Sequence, residues 1–342
     1  MRRPMRAMIL AAGLGTGLRP LSYQRPKALF PVANRPVIEF VIRLLKRHGF
    51  NDLVINMHYL PNKIVEYLGD GSVLEIKIDY SFEEELLGTA GALRKVRKYL
   101  EEGTFLVINC DVLTDVDLSG ALEFHRERQA LATLILIEVE DPSSYGMIGV
   151  DDRGRIGSFL GRSEVALKYA VYGGICFLEP EIFELIPPGR SGLGDVVFPG
   201  LLREERPFFG YLAPAPPTGG EGYWLDVGTL ERYRQANWDI LEGRFKAVAP
   251  LHRRGGQVHP SAQINEPVII GPGSVVGEGA EIGPLTILGR NCSIGKSAVV
   301  GRSILWDGVR VGDGARVDEC IVGDGAVIRD DCGLNRKVYA KT

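Results

Sequence analysis

The sequence predicts an α/β domain with a Rossmann-like, mostly parallel sheet, followed by a left-handed parallel β-helix. Over residues 1–245, strand-like apolar runs alternate with amphipathic helical segments, the pattern of a parallel sheet covered on both faces. Residues 246–257, with Arg253-Arg254-Gly255-Gly256, read as a linker. From there an aliphatic-glycine pair recurs every six residues, and 258–342 are assigned to a hexapeptide-repeat coil. A length of 342 residues suits two such domains.

Taken in order, Met8–Ala12 reads as a buried strand. Val37–His48 reads as a helix, with Val37, Val41, Leu44 and Leu45 at helical spacing. Leu53–Met57 is a strand, Pro61–Leu68 a helix opened by proline, and Glu75–Tyr80 a strand. Ala90–Leu100 is helical and Phe105–Asn109 a buried strand. In such sheets ligands bind beyond the carboxyl ends of the strands, so loops that follow strands are where chemistry is expected.

The repeat runs Ile270-Gly271, Val276-Gly277, Ile282-Gly283, Leu288-Gly289, Ile294-Gly295, Val300-Gly301. Small residues (Ser274, Ala280, Thr286, Cys292, Ala298) stand two positions before the last five aliphatics. One inward aliphatic per six residues suits a triangular coil with three faces, about four coils over 258–332. The register breaks after Gly301 and returns at Val311-Gly312 and Val322-Gly323.

A net charge of −3 offers neither nucleic acid nor an anionic membrane an electrostatic reason to bind. No stretch reaches the roughly 18 apolar residues a spanning helix needs, and the first apolar run is too short for a signal peptide. The five cysteines form no C-x-x-C pair, so neither zinc nor a disulfide framework is expected, and a cytoplasmic setting is.

The first strand runs into Ala11-Ala12-Gly13-Leu14-Gly15-Thr16-Gly17-Leu18-Arg19-Pro20. Bare backbone after a buried strand points N–H groups at phosphate, a property of several enzyme classes. No Gly-Lys-Ser/Thr closes the loop. Leu18, with Pro20 and Pro26, is incompatible with a dinucleotide fingerprint opening a helix. Lys27, held between the loop and an apolar segment, is a candidate phosphate partner. Asp111 follows the strand Phe105–Asn109, and Asp226 ends an aromatic strand in Tyr223-Trp224-Leu225-Asp226-Val227-Gly228-Thr229. A carboxylate pair is what a magnesium ion (Mg2+) on nucleotide phosphates requires.

Together these segments resemble the sugar-1-phosphate nucleotidyltransferase (NDP-sugar pyrophosphorylase) family. The family's G-x-G-T-R-L-x-P-L-T is met by Gly13 to Ser22, its P-K-x-L and P-V by Pro26 to Leu29 and Pro31-Val32, and its L-G-T-A-G-A by Leu87 to Ala92. Its Y-G pair is met by Tyr145-Gly146 and its W-x-D-[IV]-G-T by Trp224 to Thr229. A β-helix tail is common in the mannose-1-phosphate guanylyltransferase-like branch. The resemblance implies that an NTP and a sugar-1-phosphate are joined with release of pyrophosphate. It implies that Ala12, Gly13, Gly15 and Thr16 hold the triphosphate, that Lys27, Asp111 and Asp226 are catalytic, and that both aspartates hold the metal. Gly88 and Thr89 would lie at the base, and Tyr145, Gly146, Arg162 and Gly174 would line the sugar pocket. Glu83, a double acceptor, would suit the adjacent donors of guanine, hence GTP. A homo-oligomer, packed through the flat faces of the tail, is expected.

Four positions depart from the family pattern. Gly17 replaces the arginine of G-T-R-L, a charge that meets the triphosphate. Gly161 and Arg162 replace the glutamate and lysine of F-x-E-K-P, and Tyr172 the asparagine before the sugar-pocket glycine. A working enzyme with an altered pocket and an impaired homologue with a regulatory or scaffold role both stay open. A hexapeptide acyltransferase is disfavoured, because His252 and His259 precede the regular repeats.

Overall fold

The computed structural model describes residues 5–139, 146–160, 168–213, 222–245 and 255–341. The chain divides into two compact units. One comprises Met1–Leu14 with Phe40–Leu225, the other Gly15–Glu39 with Asp226–Thr342. The division therefore differs from the linear one at 245/258: residues 15–39 and the helix after Asp226 group with the repeats.

The first unit is built on a nine-stranded sheet. Its strands are β1 (Arg6–Leu10), β2 (Asp52–Met57), β3 (Lys77–Phe82), β4 (Phe105–Asn109), β5 (Ala132–Ile137), β6 (Met147–Val150), β7 (Ile156–Phe159), β8 (Lys168–Leu178) and β9 (Phe208–Ala213). β1 pairs in parallel with β2 on one side and β4 on the other. The chain steps outward through β2 to β3, which also pair in parallel, and then returns across β1 to β4. That reversal makes the carboxyl ends of β1 and β4 the switch point where α/β sheets bind ligands. β8 is antiparallel to β4, β5 and β6, and β7 to β6, so the sheet is mixed at that end.

Helices α1 (Val37–Arg47), α2 (Pro61–Leu68), α3 (Gly88–Lys95), α4 (Arg97–Leu100), α5 (Leu118–Glu127), α6 (Phe198–Arg203) and α7 (Leu230–Leu241) follow. α1 carries Glu39 in its first turn and Lys46 and Arg47 in its last, matching its dipole. The helix expected over 90–100 is two pieces, α3 and α4, with Val96 between them out of helical geometry. α5 and α7 are capped by Asp117 and Thr229, whose side chains accept from the Ser119 and Arg232 amides.

In the second unit, three five-stranded parallel sheets form the β-helix, from Gln257–Val258 to Val338–Tyr339. Gly255 already donates to Ile270 and Gln257 to Ser274, so the end of the expected linker belongs to the first coil; 246–254 lie outside the described residues. The coils run on to Val338–Tyr339, within the expected 258–342. The register break has a simple cause. Ile269 pairs with Ile287, 18 residues on, but Ile287 pairs with Ile304 and Ile304 with Ile321, 17 on. One residue is lost from the turn before these strands, so the coil persists while the hexapeptide count fails. Inward aliphatics such as Ile270, Leu288, Leu305 and Val322 stack into a continuous core.

The stripe Ile269, Ile287, Ile304 and Ile321 is buried too, although it lies outside that internal core. On this sheet's side Asn34 donates to the Leu288 carbonyl (2.7 Å) and the Trp238 indole to that of Leu285 (3.2 Å). Phe30, Tyr233 and Trp306 meet in edge-to-face contacts, with centroids 4.9 to 6.4 Å apart. The Trp306 indole donates to the Tyr233 hydroxyl (2.8 Å), which donates to the Pro31 carbonyl (2.7 Å). Trp306, only 1% exposed, is thus bound to both α7 and the 15–39 segment. Trp306→Ala should cost about 3–5 kcal/mol in urea unfolding of the full chain. Val327→Ala, at a residue 57% exposed, should stay within about 0.5 kcal/mol. Equal costs would mean that the aromatic cluster anchors nothing.

Candidate active site

In the first unit, the ends of β1, β2 and β3 are tied by one chain of hydrogen bonds. The Ala11 amide donates to Asn56 Oδ1 (2.9 Å), and Asn56 Nδ2 donates to Glu83 Oε1 (2.7 Å). Glu83 Oε2 accepts the Leu87 amide (3.0 Å). Beyond this brace, Gly13 is exposed and nothing lies within 4 Å of where its Cβ would be, leaving open backbone for a ligand. Ala12 is buried just before it.

Glu83 therefore differs from its expected part. The side chain is 2% exposed and both oxygens have donors inside the protein, so it braces the loop rather than presenting two acceptors to a base. Gly88 differs as well. It has φ +73°, and a Cβ there would collide with the Ser191 carbonyl. That carbonyl accepts the Ala90 and Gly91 amides at the start of α3, while Leu193 N–H donates to the Thr89 hydroxyl (2.7 Å). The close approach that requires glycine is thus made by chain 191–193.

Asp111 is buried directly after β4, at the switch point. Gly174 on β8 has φ +75°, and a Cβ would meet Asn109 Nδ2 at 2.8 Å, so the Asn109 side chain lies on bare backbone beside that edge. Gly146 is described, with φ +85°, whereas Tyr145 and Arg162 lie outside the described residues. Tyr172, in the asparagine's position, packs its ring against the core and the edge of Phe198. Burial, and then the charge and hydrogen bond of neighbouring Cys176, push its phenol well above the usual range.

The second unit holds the rest of the loop. Gly15 takes φ +63°, and its Cβ would sit 3.3 Å from Ser22 and 3.6 Å from Lys27 Cβ. Thr16–Leu18 then forms a single turn, with Thr16 and Gly17 exposed and Leu18 buried. A Cβ on Gly17 would stand 2.5 Å from the Gly228 carbonyl oxygen, and one on Gly228 would stand 3.8 Å from Lys27 Nζ and 2.5 Å from Asp226 Oδ1. Lys27 and Asp226 thus flank the same bare backbone. Asp226 Oδ2 is ion-paired with Arg232, one turn into α7. The sequence reading does not single out Gly228 or Arg232; the place of Gly228 two residues after the aspartate in W-x-D-V-G-T is the available signal.

Among the described residues no three His, Cys, Asp or Glu side chains cluster as metal ligands.

Residues 6–243 match the family model described as nucleotidyl transferase, and 252–340 the model of the EIF2B subunit epsilon LbH domain. A UTP–glucose-1-phosphate uridylyltransferase of Synechocystis is 36% identical over 71% of the chain and 65% of its own length. A mannose-1-phosphate guanylyltransferase of Mycobacterium tuberculosis is 33% identical over 96% of the chain and 83% of its own length. The solved structure of a putative glucose-1-phosphate thymidylyltransferase from Bacillus anthracis shares the fold, with TM-score 0.59 and 23% identity over 68% of this chain and 94% of that one. By its fold, its loop and these matches, the chain belongs to the nucleotidyl transferase family and carries a left-handed β-helix tail.

Proposed function

We propose that this chain is a mannose-1-phosphate guanylyltransferase. In the reaction, an oxygen of the sugar-1-phosphate attacks the α-phosphorus of GTP, the bond from that phosphorus to the bridging oxygen breaks, and pyrophosphate leaves. The nucleophile is already an anion, so the protein's work is positioning and charge neutralisation rather than proton removal. One observation carries the reading: Lys27 Nζ and the Asp226 carboxylate flank the bare backbone of Gly228. A cation and a hard oxygen donor meeting there suit a polyphosphate. Backbone of Ala12, Gly13, Gly15 and Thr16 would cradle the triphosphate, and Gly146 and Gly174 would leave room for the sugar. Asp111 and Asp226 would hold Mg2+, which when bound supplies charge neutralisation on the phosphates.

GTP and mannose rest on the guanylyltransferase that aligns over 96% of the chain, tail included. The uridylyltransferase relative makes UTP with glucose-1-phosphate the comparison pair. A cytoplasmic, reducing setting is supported by five unpaired cysteines; burial pushes the thiol of Cys176 up to about 12. Among the described residues no helix is long and apolar enough to cross a membrane. Self-association through the tail is supported by Val275 and Val327, exposed on one flat sheet.

A second reading, an impaired homologue that binds nucleotide sugar and serves a partner, is favoured by Gly17. An acyltransferase reading gains no support, because no histidine follows His259.

The test is pyrophosphate release from a panel of NTPs with mannose-1-phosphate or glucose-1-phosphate and Mg2+. Turnover should be fastest with GTP and mannose-1-phosphate, and Lys27→Ala should lower kcat by about 10²–10³. A wild type silent with every pair, yet binding nucleotide sugar, would establish the second reading. Restoring arginine at position 17 should lower activity, because even Gly17→Ala puts a carbon 2.5 Å from the Gly228 oxygen. A faster Gly17→Arg would show instead that only the charge was missing. Glu83→Gln sets an amide against two donors and should cost about 1–3 kcal/mol of stability with nucleotide preference unchanged. A shift toward UTP would return base reading to that side chain.

A further inference from the structure

Two residues ahead of Lys27, the side chain of Arg25 reaches the β-helix. Its guanidinium donates to Asp324 (2.6 and 2.5 Å) and to Asp307 (2.8 Å), and it lies over the Trp306 ring at 5.1 Å. These partners are 299 and 282 positions further along the chain. Gln24 adds a reciprocal pair with the backbone of Asp324: its oxygen accepts that residue's amide (2.9 Å) and its nitrogen donates to the carbonyl (3.2 Å).

The two aspartates belong to a ladder at one corner of the coil. Asp307 accepts the Arg290 amide (2.7 Å), and Asp324 that of Asp307 (3.1 Å). Stacking carboxylates in successive coils sets like charges together, and Arg25 supplies the compensating cation with bidentate geometry. A second ladder, in which Asp313 accepts the Lys296 amide and Asp330 that of Asp313, makes the same backbone bonds. Among the described residues no arginine of 15–39 bonds to this second ladder.

On the other side of Lys27, Phe30 is buried against Trp306 and Tyr233. Between these anchors the chain makes a single turn, in which Leu29 donates to Pro26 and Phe30 to Lys27. Lys27 is therefore suspended between two attachments to the same pair of coils.

We infer that the coils carrying Trp306, Asp307 and Asp324 position Lys27, with Arg25 and Gln24 as the positioning residues. The tail is then a working part of nucleotidyl transfer. This rests on the reading of Lys27 as a phosphate partner in that reaction.

The test uses the full chain and compares Asp324→Asn and Arg25→Ala with Asp330→Asn. Asparagine keeps an oxygen for the ladder in both aspartate variants, so only the charge facing Arg25 separates them. Amide exchange over residues 23–30 should quicken in Asp324→Asn and Arg25→Ala and stay at the wild-type rate in Asp330→Asn. In the same variants kcat should fall by about tenfold or more with KM changed less than about threefold, the mark of lost positioning rather than lost binding. Arg25→Lys should recover part of the loss, and Arg25→Ala combined with Asp324→Asn should be far from additive. If all three variants exchange and turn over alike, the inference is overturned. A wild type without turnover would defeat the enzymatic reading alone, because the exchange contrast still decides whether the coils hold this segment.

Discussion

The hydrogen bond from Trp306 through the Tyr233 hydroxyl to the Pro31 carbonyl is the constraint on which the second unit depends. It joins three stretches distant in sequence: the loop after Gly15, the helix after Asp226, and the coil. Tyr233 is fully buried, so its hydroxyl needs both a donor and an acceptor, and it has found one of each. Asn237, one turn later on α7, repeats the arrangement by accepting the Ala33 amide (2.8 Å). A parallel β-helix alone offers three flat faces. Here one of them has buried isoleucines outside as well as aliphatics inside, and the face has become a floor for the segment that carries Lys27.

The first unit is organised differently. Its loops at the switch point are held by polar groups at strand ends, with Asn56 and Glu83 spanning three parallel strands and the Ser191 carbonyl seating the start of α3. Such bonds are worth about 1 kcal/mol each when made and more when broken in a buried place. They give the loops definite positions without filling the space beyond the sheet edge. Exposed Gly13 and buried Asp111 both follow from that arrangement.

What could be read from the sequence was what repeats or what is local. Pro61–Leu68 and Phe105–Asn109 have the expected bounds, because proline fixes one start and an unbroken apolar run the other. The strand expected from Glu75 begins at Lys77, since Glu75 turns left-handed (φ 56°) to close a short turn. The coil was legible from its glycines, but its length was not, because a 17-residue coil breaks a count of six without breaking the stack. As candidates, Lys27, Asp111 and Asp226 could be picked out from their motifs. The work of Gly88 and Glu83 could not, because it depends on Ser191 and Asn56, and local sequence carries no sign of distant partners. Residues 15–39 read along the chain as part of the 1–245 domain, and in the fold they group with the repeats. Their partners lie over two hundred positions away, as the bonds from Asn34 and Ala33 make plain.

Gly17 shows how these two kinds of information have to be combined. Read along the chain, it stands where the resembling family has an arginine. In the folded unit it is the residue that lets the loop close onto the Gly228 carbonyl, with Asp226 and Lys27 on either side. A residue with a side chain would hold those two backbones apart, and with them the groups that flank Gly228. The absence of arginine and the tightness of the cradle are thus one structural fact. On the proposed reading, with the loop drawn in by glycine, charge for the phosphates would come from side chains that the closure itself brings near. Lys27 is so placed, and Arg232 meets Asp226 at the same cradle. The departure at position 17 is therefore better weighed by what surrounds Gly228 than by the charge that the position no longer carries.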